Sequence, residues 1–208
     1  MTDSDVAPLA FSKSRFESFS DGVFAVAITL LIVEVHLPAY ISAASSPSAQ
    51  TAALLAMWPE YLIYAVSFVT IGIMWFNHHA LVDRVQRVTY RMVVANLLLL
   101  GLVVFLPFAT DVLARLGLSR PAVVCYGMTL TAISLGYLVL QRAVVAAHPG
   151  SGQQLTAWNL AGLTLYPLAT VAGLFVPLLG VMLIAVLAIF YAHPRNVSMA
   201  QFTPSPTA

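Results

Sequence analysis

Apolar residues run along the chain in blocks near twenty long, broken by short stretches rich in Pro, Gly, Ser and charge. A membrane crossing needs about twenty predominantly apolar residues, and the crossing segments must be helices, because a helix satisfies its own backbone hydrogen bonds. The first block follows the polar motif RFESFSD and predicts a span from about Phe16 to Leu37, stopped by Pro38 and the polar loop PAYISAASSPSAQ. TAALLAM reads as a short interfacial helix ahead of Pro59, a residue suited to a first helical turn. The second span covers about Pro59 to Val82, with DRVQRVTYR as the turn after it. The third covers about Met92 to Leu113, kinked at Pro107, and the fourth about Pro121 to Val144. After the loop HPGSGQQ, the run from Leu155 to Ala192 holds two short helices if the chain turns near FVPLLG. The expectation is an all-α polytopic membrane protein of six spans, the alternative being five with a long kinked last helix.

Composition points the same way, since 60% hydrophobic residues and a mean hydropathy of +0.90 exceed what one soluble core of 208 residues would hide. The start lacks a short apolar core with a small-residue cleavage site, so the first span reads as an uncleaved anchor. Cys125 is alone, which removes a disulfide framework or a cysteine metal site. A net charge of +1 with scattered Lys and Arg argues against a nucleic-acid partner. Lys13, Arg15, Arg84, Arg87, Arg91, Arg142 and Arg195 fall on one side of the layout, and only Arg115 and Arg120 on the other. That asymmetry places both termini in the cytoplasm; the expected location is the cell's plasma membrane. Residues 1–14 and 195–208 are then polar tails around a membrane domain at 15–194.

Three spans carry polar residues at one depth. Asp21 lies six residues past Arg15 and His78 six before Arg84, each roughly 9 Å from the cytoplasmic end, while Asn96 is roughly 7.5 Å past Arg91. Intramembrane ionisable groups face a partner or a water-filled cavity. Asp21 accepting from His78 or His79, completed by Asn77 and Asn96, is one arrangement. It either clamps the first three spans together or forms a proton relay or gating hinge. Glu34 and His36, near the outer end of the first span, read as an interfacial anchor or as an acidic mouth. Trp58, Tyr61 and Tyr64 suit an interfacial aromatic belt.

Arg15-Phe16-Glu17-Ser18-Phe19-Ser20-Asp21-Gly22 fits R-x-x-x-F-S-D-G on a first membrane helix; SFVTIGIMWFNHHALV and NLLLLGLVVFLPFATDVL follow in order. Over about residues 15 to 115 the chain resembles the prokaryotic branch of the transmembrane-protein-175 potassium channels. The resemblance implies a homotetramer of six-helix subunits, a pore lined by the first helix of each, potassium as permeant ion, and no cofactor. No TVGYG-like filter sequence is present, as in that family. By the family pattern the pore-facing positions are Val26, Thr29, Leu30 and Val33, and their i, i+3, i+4, i+7 spacing independently makes one stripe. Val26, Leu30 and Val33 are expected to form the hydrophobic constriction and Thr29 to contribute selectivity. Val26 stands where relatives carry Ile or Leu, so a ring of it is wider. Arg15, Phe19, Ser20 and Asp21, with Trp75, Asn77, His78, His79 and Asn96, make up the expected structural polar network.

Two other classes compete with a passive potassium-preferring channel. A proton-coupled secondary transporter would use Asp21, His78 and His79 as its relay, although these lie near one face and transporter sites sit near the midplane. A redox or metal enzyme is disfavoured, because adjacent His78 and His79 point about 100° apart on a helix and cannot readily share a metal.

Overall fold

Ser12 starts the first helix: its Oγ accepts from the Arg15 amide at 3.5 Å, satisfying one of the donors a helix leaves open at its N-terminus. The computed structural model describes residues 11–43, 45–83, 85–148 and 157–192, with backbone alone for 157–161 and 190–192. Among them the order is α1 (Lys13–Val33), α2 (Pro47–Ala56), α3 (Trp58–Asp83), α4 (Tyr90–Val104), α5 (Leu106–Leu116), α6 (Arg120–Ala147), α7 (Ala157–Phe175) and α8 (Pro177–Ala192). An isolated antiparallel bridge joins Phe11 to Val88. Arg84, the residues 149–156 that hold most of HPGSGQQ, residues 1–10, and 193–208 with Arg195 lie outside the described residues.

Among the described residues, four helical stretches are long and apolar enough to cross a membrane: Lys13–Val33, Trp58–Asp83, Tyr90–Leu116 and Arg120–Ala147. α7 and α8 add shorter apolar stretches and separate at Val176, inside the FVPLLG segment where a turn was expected. Two boundaries differ from the expectation. α1 ends at Val33, four residues before Leu37. Pro38 lacks the N–H that would bond the Glu34 carbonyl, and His36 Nδ1 occupies that carbonyl at 2.8 Å instead. The third span is divided at Phe105 rather than merely bent. Pro107 offers no N–H to the Val103 carbonyl, and the Phe105 amide tightens onto Leu102 O at 3.2 Å.

α6 is the central helix, in contact with α4, α5, α7 and α8, while α1 packs on α3, α4 and α5. The buried positions of α6, among them Tyr126, Gly127, Leu130, Ile133 and Leu140, cover a wide arc on one side of it, while Met128, Leu135 and Val139 on the other side are exposed. Small residues allow the closest approaches. A Cβ on Gly180 would stand 2.5 Å from the Gly173 Cα, so the α7–α8 turn is open only to glycine pairs. Gly117, at φ 59°, ends α5 in a conformation that L side chains avoid.

The start of α1, the end of α3, the start of α4 and the end of α6 gather at one end of the bundle. There Lys13 Nζ donates to Asp83 O at 2.6 Å, the Phe11–Val88 bridge forms, and the Arg87 amide donates to His148 Nε2 at 3.2 Å. At the opposite end Glu34, His36 and Asp111 come within 4.8 Å of one another, and Arg115 Nε lies 2.6 Å from Asp111.

Candidate functional site

α1 has two faces, and both are set by its 3.6-residue period. Phe16, Ser20, Phe24, Ala27 and Leu31 are buried against the rest of the bundle. Val26, Leu30 and Val33 are 55%, 38% and 61% exposed, and Thr29 is exposed between them. The Thr29 hydroxyl donates to the carbonyls of Ala25 and Val26, both at 2.9 Å. Its proton is thus held by the helix and its oxygen lone pairs are turned away from it. The four positions expected on one stripe share one uncovered face.

The buried face holds a directional chain of hydrogen bonds. Ser20 Oγ donates to Phe16 O at 2.9 Å, so it is an acceptor for Asn96 Nδ2, also at 2.9 Å. That fixes Asn96 Oδ1 as the acceptor for His78 Nε2 at 2.8 Å, which makes this nitrogen the protonated one. His78 and Asn96 are each 2% exposed, and the His78 ring lies between Phe16 and Phe24 at centroid distances of 6.4 and 5.4 Å. One residue from each of α1, α3 and α4 therefore meets at a single point, with Ser20 in place of the neighbouring Asp21 that the depth reading had put there.

Asp21 is not part of that chain. Its Oδ1 accepts from Trp75 Nε1 at 2.8 Å, and Trp75 stacks on His79 at 5.7 Å. The expected Asp21–His78 or Asp21–His79 bond is replaced because Trp75 and His79 share one face of α3, i and i+4, while His78 is turned about 100° inward. Asn77 likewise departs from the expected network: it lines a cavity on the other side of α3, and its backbone carbonyl accepts from the Tyr137 phenol at 3.0 Å. Arg15 and Phe19 border a surface groove with Asn96, and both are exposed.

A second buried polar cluster was not anticipated. Thr110 Oγ1 and Tyr126 OH both lie 3.0 Å from Ser67 Oγ, joining α5, α6 and α3. Three neutral hydroxyls set in apolar helices offer no sequence signal like the charged motif of α1. The cue available was that a membrane helix seldom leaves a hydroxyl without a neighbour.

Several long apolar helices closed by buried polar contacts define a polytopic helical membrane protein. Its chain matches the family described as endosomal/lysosomal potassium channel TMEM175 over residues 15–107. It is 42% identical over 132 residues to a potassium channel of Streptomyces collinus, the match covering 62% of each chain. An endosomal/lysosomal proton channel TMEM175 of Rattus norvegicus is 36% identical over 180 residues, which are 79% of this chain and 36% of that protein. The chain therefore spans less than two thirds of the length of either relative. The crystal structure of a lysosomal potassium-selective TMEM175 homologue from Chamaesiphon minutus superposes with a TM-score of 0.76 at 35% identity, covering 86% of this chain and 96% of that one. The chain belongs to the TMEM175 family, a family of ion channels and not of enzymes.

Proposed function

We propose that this chain forms a potassium-preferring cation channel: four copies of a six-span subunit surround a central pore lined by α1, and ions pass down their gradient without a cofactor. The observation that carries this reading is the uncovered stripe of α1, where three apolar side chains flank one hydroxyl on a helix whose opposite face is fully packed. Lipid alone gives no reason to place Thr29 there, whereas four threonine oxygens around an axis would replace part of an ion's hydration. Rings of Val26, Leu30 and Val33 beside it would gate by dewetting. The potassium names of the Streptomyces and Chamaesiphon proteins support the choice of ion. The channel lies in the plasma membrane with both termini in the cytoplasm, and the orientation rests on the Lys and Arg asymmetry.

The test is the reversal potential of purified protein in a planar bilayer with potassium on one side and sodium on the other. A potassium-selective current is expected; Thr29→Ala lowers the selectivity and Val26→Asn raises the leak. Unchanged flux in both variants would remove α1 from the pore.

A second reading, the proton-coupled transporter working through Asp21, His78 and His79, draws support from the proton-channel name of the rat relative. It is weaker because Asp21 and His78 bond to different partners, Trp75 and Asn96. Flux that saturates and needs a pH gradient would favour it.

A further inference from the structure

His148 caps the end of α6, and its ring lies between two backbone groups that cannot exchange roles. Nε2 accepts from the Arg87 amide at 3.2 Å, and an amide N–H only donates. Nδ1 faces the Val144 carbonyl at 3.3 Å, and a carbonyl only accepts. The ring in this contact is therefore neutral, with its one proton on Nδ1.

The Arg87 amide belongs to the loop between α3 and α4. That loop buries Val85 and Val88. It also holds the foot of α1, through the Phe11–Val88 bridge and, at the last residue of α3, through the bond from Lys13 Nζ to Asp83 O at 2.6 Å. Among the described residues, the hydrogen bond between α6 and this loop is the one at His148. A single imidazole thus fastens the central helix to the segment that carries the start of α1.

A second proton has to go on Nε2, where it meets the Arg87 N–H head on, so the charged ring and this contact exclude each other. Histidine is the side chain that ordinarily changes charge between pH 5 and 8. His148 is partly exposed, so water reaches it. The charged groups on the elements that meet here are Lys13, Arg15 and Glu17 of α1, Asp83 of α3, Arg87 of the loop, Arg91 of α4 and Arg142 of α6. Among the described residues none of them is ion-paired with the ring, and Glu17 pairs with Lys13 at 3.5 Å. No carboxylate is in place to hold the charged ring where it stands.

We propose that His148 is a proton-sensitive latch. Neutral, it fastens the α3–α4 loop, and with it the foot of α1, to the end of α6; protonated, it lets the loop go. The latch is a contact within one chain and holds or fails independently of ion conduction.

The test is amide hydrogen exchange of the full-length purified chain at pH 7.5 and 5.5, read at Arg87 and corrected for the intrinsic pH dependence of exchange. Protection of that amide is expected to fall about tenfold at the lower pH, the scale of one lost hydrogen bond, while the amide of Leu99 inside α4 keeps its protection. His148→Gln, whose side-chain oxygen accepts at either pH, is expected to keep the Arg87 amide protected at both. His148→Leu, with no acceptor, leaves it exchanging fast at both. Equal protection of Arg87 at the two pH values in the unsubstituted chain overturns the latch. A pH response that persists in His148→Gln does so too, because another group would then be titrating, and so does full protection in His148→Leu.

Discussion

Asn96 uses both ends of its amide, accepting from His78 and donating to Ser20. Asn96→Leu keeps the volume but leaves a buried imidazole N–H without an acceptor. The expected cost is about 1–2 kcal/mol, read as a lower melting temperature in detergent. Ser20→Ala removes only the end of the chain and costs less. An equal or larger loss for Ser20→Ala would mean that the amide is not the centre of the contact. The common depth of Asp21, His78 and Asn96 was read from the sequence, because distance along a helix is simply residue count, but the α1 residue that meets the other two is the neighbouring Ser20. Their pairing was not, because it depends on angle about the helix axis. Asn77, His78 and His79 are neighbours in sequence, yet they face a cavity, a buried amide and an indole. Asp21 and Ser20 diverge in the same way, one toward Trp75 and the other toward Asn96.

Helix ends were easier to read than helix partners. α3 runs from Trp58 to Asp83 against an expectation of Pro59 to Val82, since loops rich in Pro and charge mark both limits. The short helix expected from TAALLAM is present but begins earlier, at Pro47, where Ser46 caps it. Close packing between elements left a fainter trace in the sequence. Nothing in the spacing of Gly173 and Gly180 distinguishes them from Gly101, yet a Cβ at Gly180 meets the Gly173 backbone while one at Gly101 meets nothing within 4 Å. Gly180→Ala is therefore expected to force α7 and α8 apart and destabilise the protein by about 1–3 kcal/mol. Gly101→Ala, inside a helix with open space around it, is expected to be neutral or to stabilise by up to about 1 kcal/mol. Thermal melts of the two single variants compare them directly, and equal behaviour would contradict the contact.

At the scale of the whole molecule, the uncovered face of α1 predicts how copies meet. In a Cys125→Ala background, Val33→Cys is expected to give oxidant-dependent bands linking subunits, because in the proposed pore the stripes of neighbouring copies would converge on one axis. Ile189→Cys, 70% exposed on α8, is expected to stay monomeric under the same conditions. Bands from Ile189 and none from Val33 would place the contact between copies elsewhere. The tetramer number came from the family pattern alone, since a helix face can be counted on one chain but the number of copies around it cannot. The Asp21–Trp75 bond has one more consequence. An indole whose N–H is held by a carboxylate at 2.8 Å and whose face lies on an imidazole emits light whose colour depends on both neighbours. With Trp58 and Trp158 replaced by Phe, the remaining emission becomes an optical gauge of the foot of α1, shifting whenever that helix turns and draws Asp21 away.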